Sequence, residues 1–132
     1  MGLPAKKIEK ERLKKAAKYL YQLRFDSQFT QKQAAYHLGI TDAYLSELEN
    51  GKKTPSYFLI RDIAKLYEVD ERILFKMFEK IPLGVIEELE TNPTLQQTLT
   101  EIRYSDQLTD DQKQELYDLL YISYRKMLGE DS

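Results

Sequence analysis

The segment from 30 to 51 constrains the fold of this chain more than any other part of it. It contains two short stretches in which apolar residues recur at helical spacing, and each stretch is followed by a glycine, Gly39 or Gly51. Thr30 followed by Gln33 is typical of a capping box at a helix start. Glycine is a common helix stop because it adopts the left-handed conformation without strain. The segment therefore predicts two short helices joined by a tight turn.

Helical spacing divides the side chains of this segment between two faces. The apolar face points inward and comprises Ala34, Ala35, Leu38, Ile40, Leu45 and Leu48. Thr41 is placed to cap the second helix. The opposite face of that helix carries Asp42, Ala43, Ser46, Glu47 and Asn50. A short helix held by its neighbour and polar on its outer face has the proportions needed to enter the DNA major groove.

Three short patterns make this segment similar to a known family. They are Gln31-x-x-Ala-Ala35, Leu38-Gly39-Ile40 and Tyr44-Leu-Ser-x-Leu-Glu-Asn-Gly51. The segment resembles the helix-turn-helix of the lambda-repressor-like family, also called Cro/C1 or XRE. The likeness covers roughly residues 6 to 78 and leaves the C-terminal two-fifths of the chain unmatched. It implies an all-α fold with a five-helix DNA-binding module.

The resemblance also implies contacts with DNA phosphates. Gln31 corresponds to the family's glutamine that bonds a phosphate and braces the start of the recognition helix, and Lys32 adds a charge beside it. The other implied backbone contacts come from Asn50, Lys52, Lys53 and Tyr57. Simpler interpretations stay open, because Gln31 can be an ordinary exposed residue of a first helical turn and the two loop lysines can simply be solvated.

Base contacts are implied for the helix that Thr41 caps, through Asp42, Ala43, Ser46 and Glu47. Asp42 and Glu47 can only accept hydrogen bonds, so they suit the N4 amino group of cytosine, and Ala43 can contact a thymine methyl. Tyr44 either reaches the sugar-phosphate backbone through its hydroxyl or is half-buried against the preceding helix. Because Asp42 and Glu47 are acidic, an alternative stays open in which the module is degenerate and binds protein instead of DNA.

Helical spacing continues on both sides of this segment. It predicts a lysine-rich first helix over 5–25, a fourth helix that begins after Ser56, and a short fifth helix after Asp70. Ile-Pro-Leu-Gly at 81–84 interrupts the pattern, and we place the boundary of the module there. The predicted domains are a helix-turn-helix domain over 1–80 and a helical hairpin over 85–132.

The hairpin follows from two helix starts, Asn92-Pro93 and the capping box of Thr109 and Gln112. Its last helix is apolar on more than one side through Leu116, Leu119, Leu120, Tyr121, Tyr124, Met127 and Leu128. About 45 residues cannot bury so many apolar side chains in a core of their own. We therefore predict a homodimer or a higher homo-oligomer. The alternative is that the hairpin folds back on residues 70–85.

Composition limits the remaining possibilities. Residues 1–61 carry 12 Lys+Arg and 6 Asp+Glu, whereas residues 62–132 carry 8 and 16, so the first half suits a polyanion. The chain has no cysteine and a single histidine, His37, and no arrangement typical of a catalytic or metal site is visible. No stretch reaches the ~20 apolar residues of a membrane span. We expect a cytoplasmic protein that is not an enzyme and needs no cofactor.

These observations predict a sequence-specific, DNA-binding transcription regulator that acts as a repressor. It would bind double-stranded DNA as a dimer on an operator with two half-sites, with residues 41–50 in the major groove. Two alternatives remain open. One is a protein-interaction module whose hairpin binds an antagonist or another partner. The other is an antitoxin, which binds DNA and a partner enzyme.

Overall fold

The computed structural model describes residues 5–130, which form eight helices and no strand in that range. The helices are α1 (Ala5–Asp26), α2 (Gln31–Leu38), α3 (Asp42–Glu49), α4 (Tyr57–Tyr67), α5 (Glu71–Met77), α6 (Leu83–Thr91), α7 (Pro93–Tyr104) and α8 (Asp110–Met127). The all-α prediction is confirmed. The chain divides between Glu87 and Glu88 into two compact units.

Both starts in the helix-turn-helix segment are capped by the predicted side chains. Thr30 Oγ1 accepts from Gln33 N at 3.1 Å, and Gln33 Oε1 accepts from Thr30 N at 2.9 Å, which completes the capping box of α2. Thr41 Oγ1 accepts from Tyr44 N at 3.0 Å and caps α3. Such a cap stabilises a helix by about 1 kcal/mol. Gly39, with φ 69°, ends α2 in the left-handed conformation.

The way in which α3 ends explains why a glycine, Gly51, stands after it. Lys52 N donates to Glu47 O at 2.9 Å and Gly51 N donates to Leu48 O at 3.4 Å, the bonding pattern of a Schellman motif. Gly51 has φ 72°, and a Cβ there would lie 3.4 Å from Lys14 Cα. Glycine is therefore needed at this position for the turn, whereas a Cβ would meet α1 only at ordinary van der Waals distance.

The core of the first unit lies where α1 to α5 meet. Its most deeply buried residues include Leu20, Ala34, Ala35, Leu45, Leu48, Ile60, Ile63, Leu74 and Phe75. The two alanines are fully buried, and their small side chains let α2 and α3 pack closely. Burying each large apolar side chain contributes roughly 1.5–3 kcal/mol. This packing holds α3 rigidly, with one face inside the unit.

The punctuated stretch near the boundary differs from its prediction. We expected the helical pattern to be interrupted throughout 81–84. In the structure α6 begins at Leu83, which is buried in the core of the first unit. The carbonyl of Pro82 accepts from Val85 N at 3.0 Å and starts this helix. Proline suits a helix start because its missing N–H would have no helical partner there. The division into domains over 1–80 and 85–132 stays a prediction.

The second unit contains the predicted pair of helices, α7 and α8. Asn92 caps α7, and Thr109 with Gln112 forms the capping box of α8. Neither helix contains a buried residue. Leu120 is 65% exposed and Met127 is 87% exposed. The apolar excess seen in the sequence is therefore left uncovered within this unit.

Candidate nucleic-acid interface

The outer face of α3 brings together the four side chains that were predicted to read bases. Asp42 and Ala43 are exposed in the first turn, and Ser46 and Glu47 are partly exposed one turn further on. Residues four apart lie on the same side of a helix, so these four share one face. The opposite face carries the buried leucines Leu45 and Leu48. Base contact itself stays a prediction.

Asn50, immediately after α3, makes hydrogen bonds to its own helix. Its Nδ2 donates to Ser46 O at 2.7 Å and lies 3.2 Å from Ser46 Oγ. The amide thus has two acceptors for its two N–H groups, while its carbonyl oxygen makes no hydrogen bond within the helix. A phosphate accepts hydrogen bonds only, so the predicted phosphate contact of Asn50 requires the amide to leave these partners.

Gln31 lies in the first turn of α2 and bonds the end of α3. Its Nε2 donates to Glu49 Oε1 at 3.1 Å. This contact joins α2 to the end of α3, whereas the predicted brace was to the start of the recognition helix, so the predicted role of Gln31 stays a prediction. A side-chain amide has two N–H donors, so the second donor is left for a phosphate oxygen.

Glu49 is the centre of a polar network that sequence reasoning missed. It is only 8% exposed, and it accepts from Arg24 Nε at 2.8 Å and from Arg24 Nη2 at 3.0 Å. Arg24 Nη1 also donates to Phe29 O at 3.0 Å. The hydrogen bonds to Glu49 raise the pKa of the Arg24 guanidinium above its usual value. The available signal was the position of Glu49, four residues after Leu45 on the inward stripe.

Exposed cationic side chains lie at the start of α2 and directly after α3. Lys32 is exposed in the first turn of α2, and Lys52 and Lys53 are exposed directly after α3. None of the three forms an ion pair with another residue in the described range. Lys14 on α1 lies beside Gly51 and adds a fourth positive charge near the loop. These charges can meet phosphates, and the phosphate contacts stay a prediction.

The two tyrosines assigned to the interface are both packed against the core. Tyr44 is half-buried, as one of its two predicted interpretations requires. Tyr57 stacks on Phe75 with ring centroids 5.9 Å apart, and Lys80 Nζ lies 4.4 Å from the centroid of the Tyr57 ring. The rings therefore serve packing, and only polar atoms at their edges are left for a backbone contact.

A second candidate surface lies within the second unit, between α7 and α8. An open groove of about 630 Å³ runs there, with an apolar lining that includes Leu95, Leu99, Ile102, Leu116, Leu119 and Leu120. The other side chains assigned to oligomerisation are exposed on α8 or at its C-cap and are Tyr121, Tyr124, Met127 and Leu128. This groove and the exposed side of α8 are together called the hairpin surface below.

Other kinds of site find no support in the described part of the chain. Within residues 5–130 there is no group of three His, Cys, Asp or Glu side chains that could hold a metal ion. None of the helices in this range is both long and apolar enough to span a membrane. The two surfaces above are the candidates that remain.

The fold and the outward face of α3 define the class of this protein. It is a small helical module that presents one short helix, α3, to solvent. Residues 16–73 match the family described as "Helix-turn-helix domain". This part of the chain is similar to the Cro/C1-type helix-turn-helix family, which confirms the resemblance seen in the sequence.

Two curated relatives are similar to a larger part of the chain. Both are named "Uncharacterized HTH-type transcriptional regulator" and come from Mycobacterium tuberculosis, one from strain CDC 1551 / Oshkosh and one from strain ATCC 25618 / H37Rv. Each is 30% identical over 93 residues, which is 70% of this chain and 59% of the relative. The chain therefore matches less than two thirds of the length of these relatives.

Proposed function

We propose that this chain is a sequence-specific, DNA-binding transcription regulator of the cytoplasm that represses by occupying its operator. The observation that carries the proposal is the outer face of α3, held outward by a buried core inside a helix-turn-helix domain. The B-DNA major groove is about 12 Å wide and admits one α-helix. The transcriptional-regulator name of the two relatives supports the same function.

Phosphate contacts would orient the module on DNA. The exposed Lys32 at the start of α2 and the unpaired Lys52 and Lys53 after α3 would meet the backbone oxygens beside the groove. Gln31 would add its free N–H to the same strand as Lys32. Such contacts position a protein on the duplex without reading sequence, so specificity is left to α3.

Homodimerisation through the hairpin surface would supply the second half of the site. No residue of α7 or α8 is buried, and a small unit without a core is not expected to be stable alone. Pairing with a second copy would cover the hairpin surface. It would also place two α3 helices on half-sites about one DNA turn, ~34 Å, apart. Linking two weak contacts raises the effective concentration of the second one.

Selection of bound duplexes from a random DNA pool tests the proposal. We expect an enriched sequence with two related half-sites. Replacing Ser46 and Glu47 together by alanine should change the preferred bases without unfolding the protein. Asp62→Ala, at an exposed acid on α4, is the matched control and should leave the preference unchanged. No enrichment of any sequence would refute specific DNA binding.

The hairpin surface also supports a second candidate, in which it binds an antagonist or another protein instead of a second copy. The uncovered apolar side chains of α8 favour any partner with a complementary apolar face. Sedimentation of the intact chain separates the two candidates. A homodimer supports self-pairing, whereas a monomer that still binds a single half-site supports a different protein partner.

A further inference from the structure

The outer face of α3 offers almost only hydrogen-bond acceptors. Asp42 and Glu47 carry carboxylates, Ala43 carries a methyl group, and the Ser46 hydroxyl is the one donor among these four side chains. Neither carboxylate forms an ion pair with another residue of the described range. Both are therefore available to a ligand that donates hydrogen bonds.

Asn50 adds no donor to this acceptor-rich face, because its side-chain N–H groups bond Ser46 within the protein. An asparagine amide next to a recognition helix would be the natural partner of adenine, which needs one donor and one acceptor. Here the Nδ2 atom is 2.7 Å from Ser46 O and 3.2 Å from Ser46 Oγ. The same contact places a donor on Ser46 Oγ, so this oxygen already has one partner.

We infer that α3 selects its half-site by the exocyclic amino groups of the bases, with cytosine N4 as the ligand of Glu47. This inference rests on the proposed function. Guanine presents only acceptors in the major groove and thymine presents an acceptor and a methyl group, so neither can donate to a carboxylate. Cytosine and adenine are the two bases that can.

Cytosine is favoured over adenine by what lies next to the amino group. Adenine places the N7 acceptor beside N6, and that lone pair repels the second oxygen of a carboxylate. Cytosine offers its N4 donor with no acceptor beside it on the same base edge. A wrong base would leave the charge of Glu47 in the groove without a partner, which is an effective way to reject a competitor.

The two carboxylates also make the flanking cations necessary. A helix that brings Asp42 and Glu47 into the groove meets the negative potential of the phosphates. The exposed Lys32 in α2 and Lys52 and Lys53 after α3 carry the opposite charge and would offset that repulsion. Affinity for DNA would then come from the three lysines, and selectivity between bases would come from the two carboxylates.

A base analogue tests the inference in the intact protein. The probe is the duplex enriched from the random pool, with each recurring cytosine replaced in turn by 2-pyrimidinone, which has hydrogen in place of the N4 amino group. At the cytosine under Glu47 the wild-type protein should lose affinity by roughly tenfold. The Glu47→Ala variant should lose less than about twofold at that cytosine, since its contact is already gone. The same replacement outside the bound site is the control.

A second variant gives an independent result. Glu47→Gln keeps the size of the side chain and adds two donors, so the preferred base at that position should change from cytosine to adenine. Circular dichroism establishes that both variants are folded. Equal losses for the wild-type protein and Glu47→Ala, or an enriched sequence without a recurring cytosine, would overturn the inference while leaving DNA binding intact. Failure to enrich any sequence would instead remove the proposed function itself.

Discussion

Glu49 accepts hydrogen bonds from both Nε and Nη2 of Arg24, at 2.8 Å and 3.0 Å, at the point where α1 meets the end of α3. Their side chains are 3% and 13% exposed, respectively. The bidentate geometry fixes the two planar groups relative to each other, and Gln31 adds a third link from α2. The orientation of the candidate recognition helix therefore depends on a charge pair between residues 25 positions apart.

Removing one member of this pair should be costly. Glu49→Ala leaves the Arg24 guanidinium largely buried without its partner, and we expect a loss of about 3–5 kcal/mol in the free energy of unfolding. Urea unfolding followed by circular dichroism measures it. Replacing Arg24 by Met and Glu49 by Leu together should recover most of the loss, because an apolar pair needs no charge partner. A change below about 1 kcal/mol in Glu49→Ala would show that the pair does not hold α3 in place.

Lys52 and Lys53 are expected to act through phosphate and not through bases. Replacing both by alanine should weaken binding to all sequences about equally and flatten the slope of log K against log salt by roughly 2. Titrations at several salt concentrations measure the slope. Lys65→Ala combined with Lys76→Ala, two exposed lysines on α4 and α5, is the matched control and should leave it unchanged. An unchanged slope in the first variant would remove these lysines from the interface.

The hairpin surface is expected to hold two copies together. Leu120→Asp or Tyr124→Asp places a charge in an apolar contact, at a cost of several kcal/mol if a second copy buries it. Sedimentation should show loss of the oligomer before circular dichroism shows any loss of helix. Gln97→Asp, on an exposed position of α7, adds the same charge as a control and should leave the oligomer intact. If the intact chain is a monomer at tens of micromolar, the self-pairing role is wrong.

An ion pair within the first unit should make its stability depend on acid. Arg61 donates to Glu87 at 2.7 Å and to Glu71 at 3.2 Å, and its hydrogen bond lowers the pKa of the Glu87 carboxyl. A lowered carboxyl pKa stabilises the fold above the unfolded pKa of about 4.3, and this contribution disappears as the pH falls through the folded pKa.

Glu87→Gln should therefore lower the Tm at pH 7 and make little difference at about pH 3. Thermal unfolding across this range measures the difference between the two proteins. Asp62→Asn, next to Arg61 on α4, is the control, because it removes an exposed carboxyl. For this variant we expect no difference in Tm at pH 7 that disappears at about pH 3. A difference in Tm that is constant with pH would contradict the assignment.

The sequence by itself determined the elements of the helix-turn-helix and their ends. The capping box of Thr30 and Gln33, the cap from Thr41, and the stops at Gly39 and Gly51 all follow from residues a few positions apart. Local hydrogen bonds and backbone preferences decide such features, so the order of residues is enough to predict them. The uncovered apolar side chains of α8 were visible in the same way, because helical spacing shows how many sides are apolar.

Only the tertiary structure decided the features that depend on residues far apart in the chain. No local pattern pairs Glu49 with Arg24, since the partner is chosen by how α1 packs across α3. The helix α6 begins at Leu83, inside the predicted break at 81–84, because Leu83 is buried in the core of the first unit. In each case the free energy of burial or of a satisfied polar group outweighed the local preference.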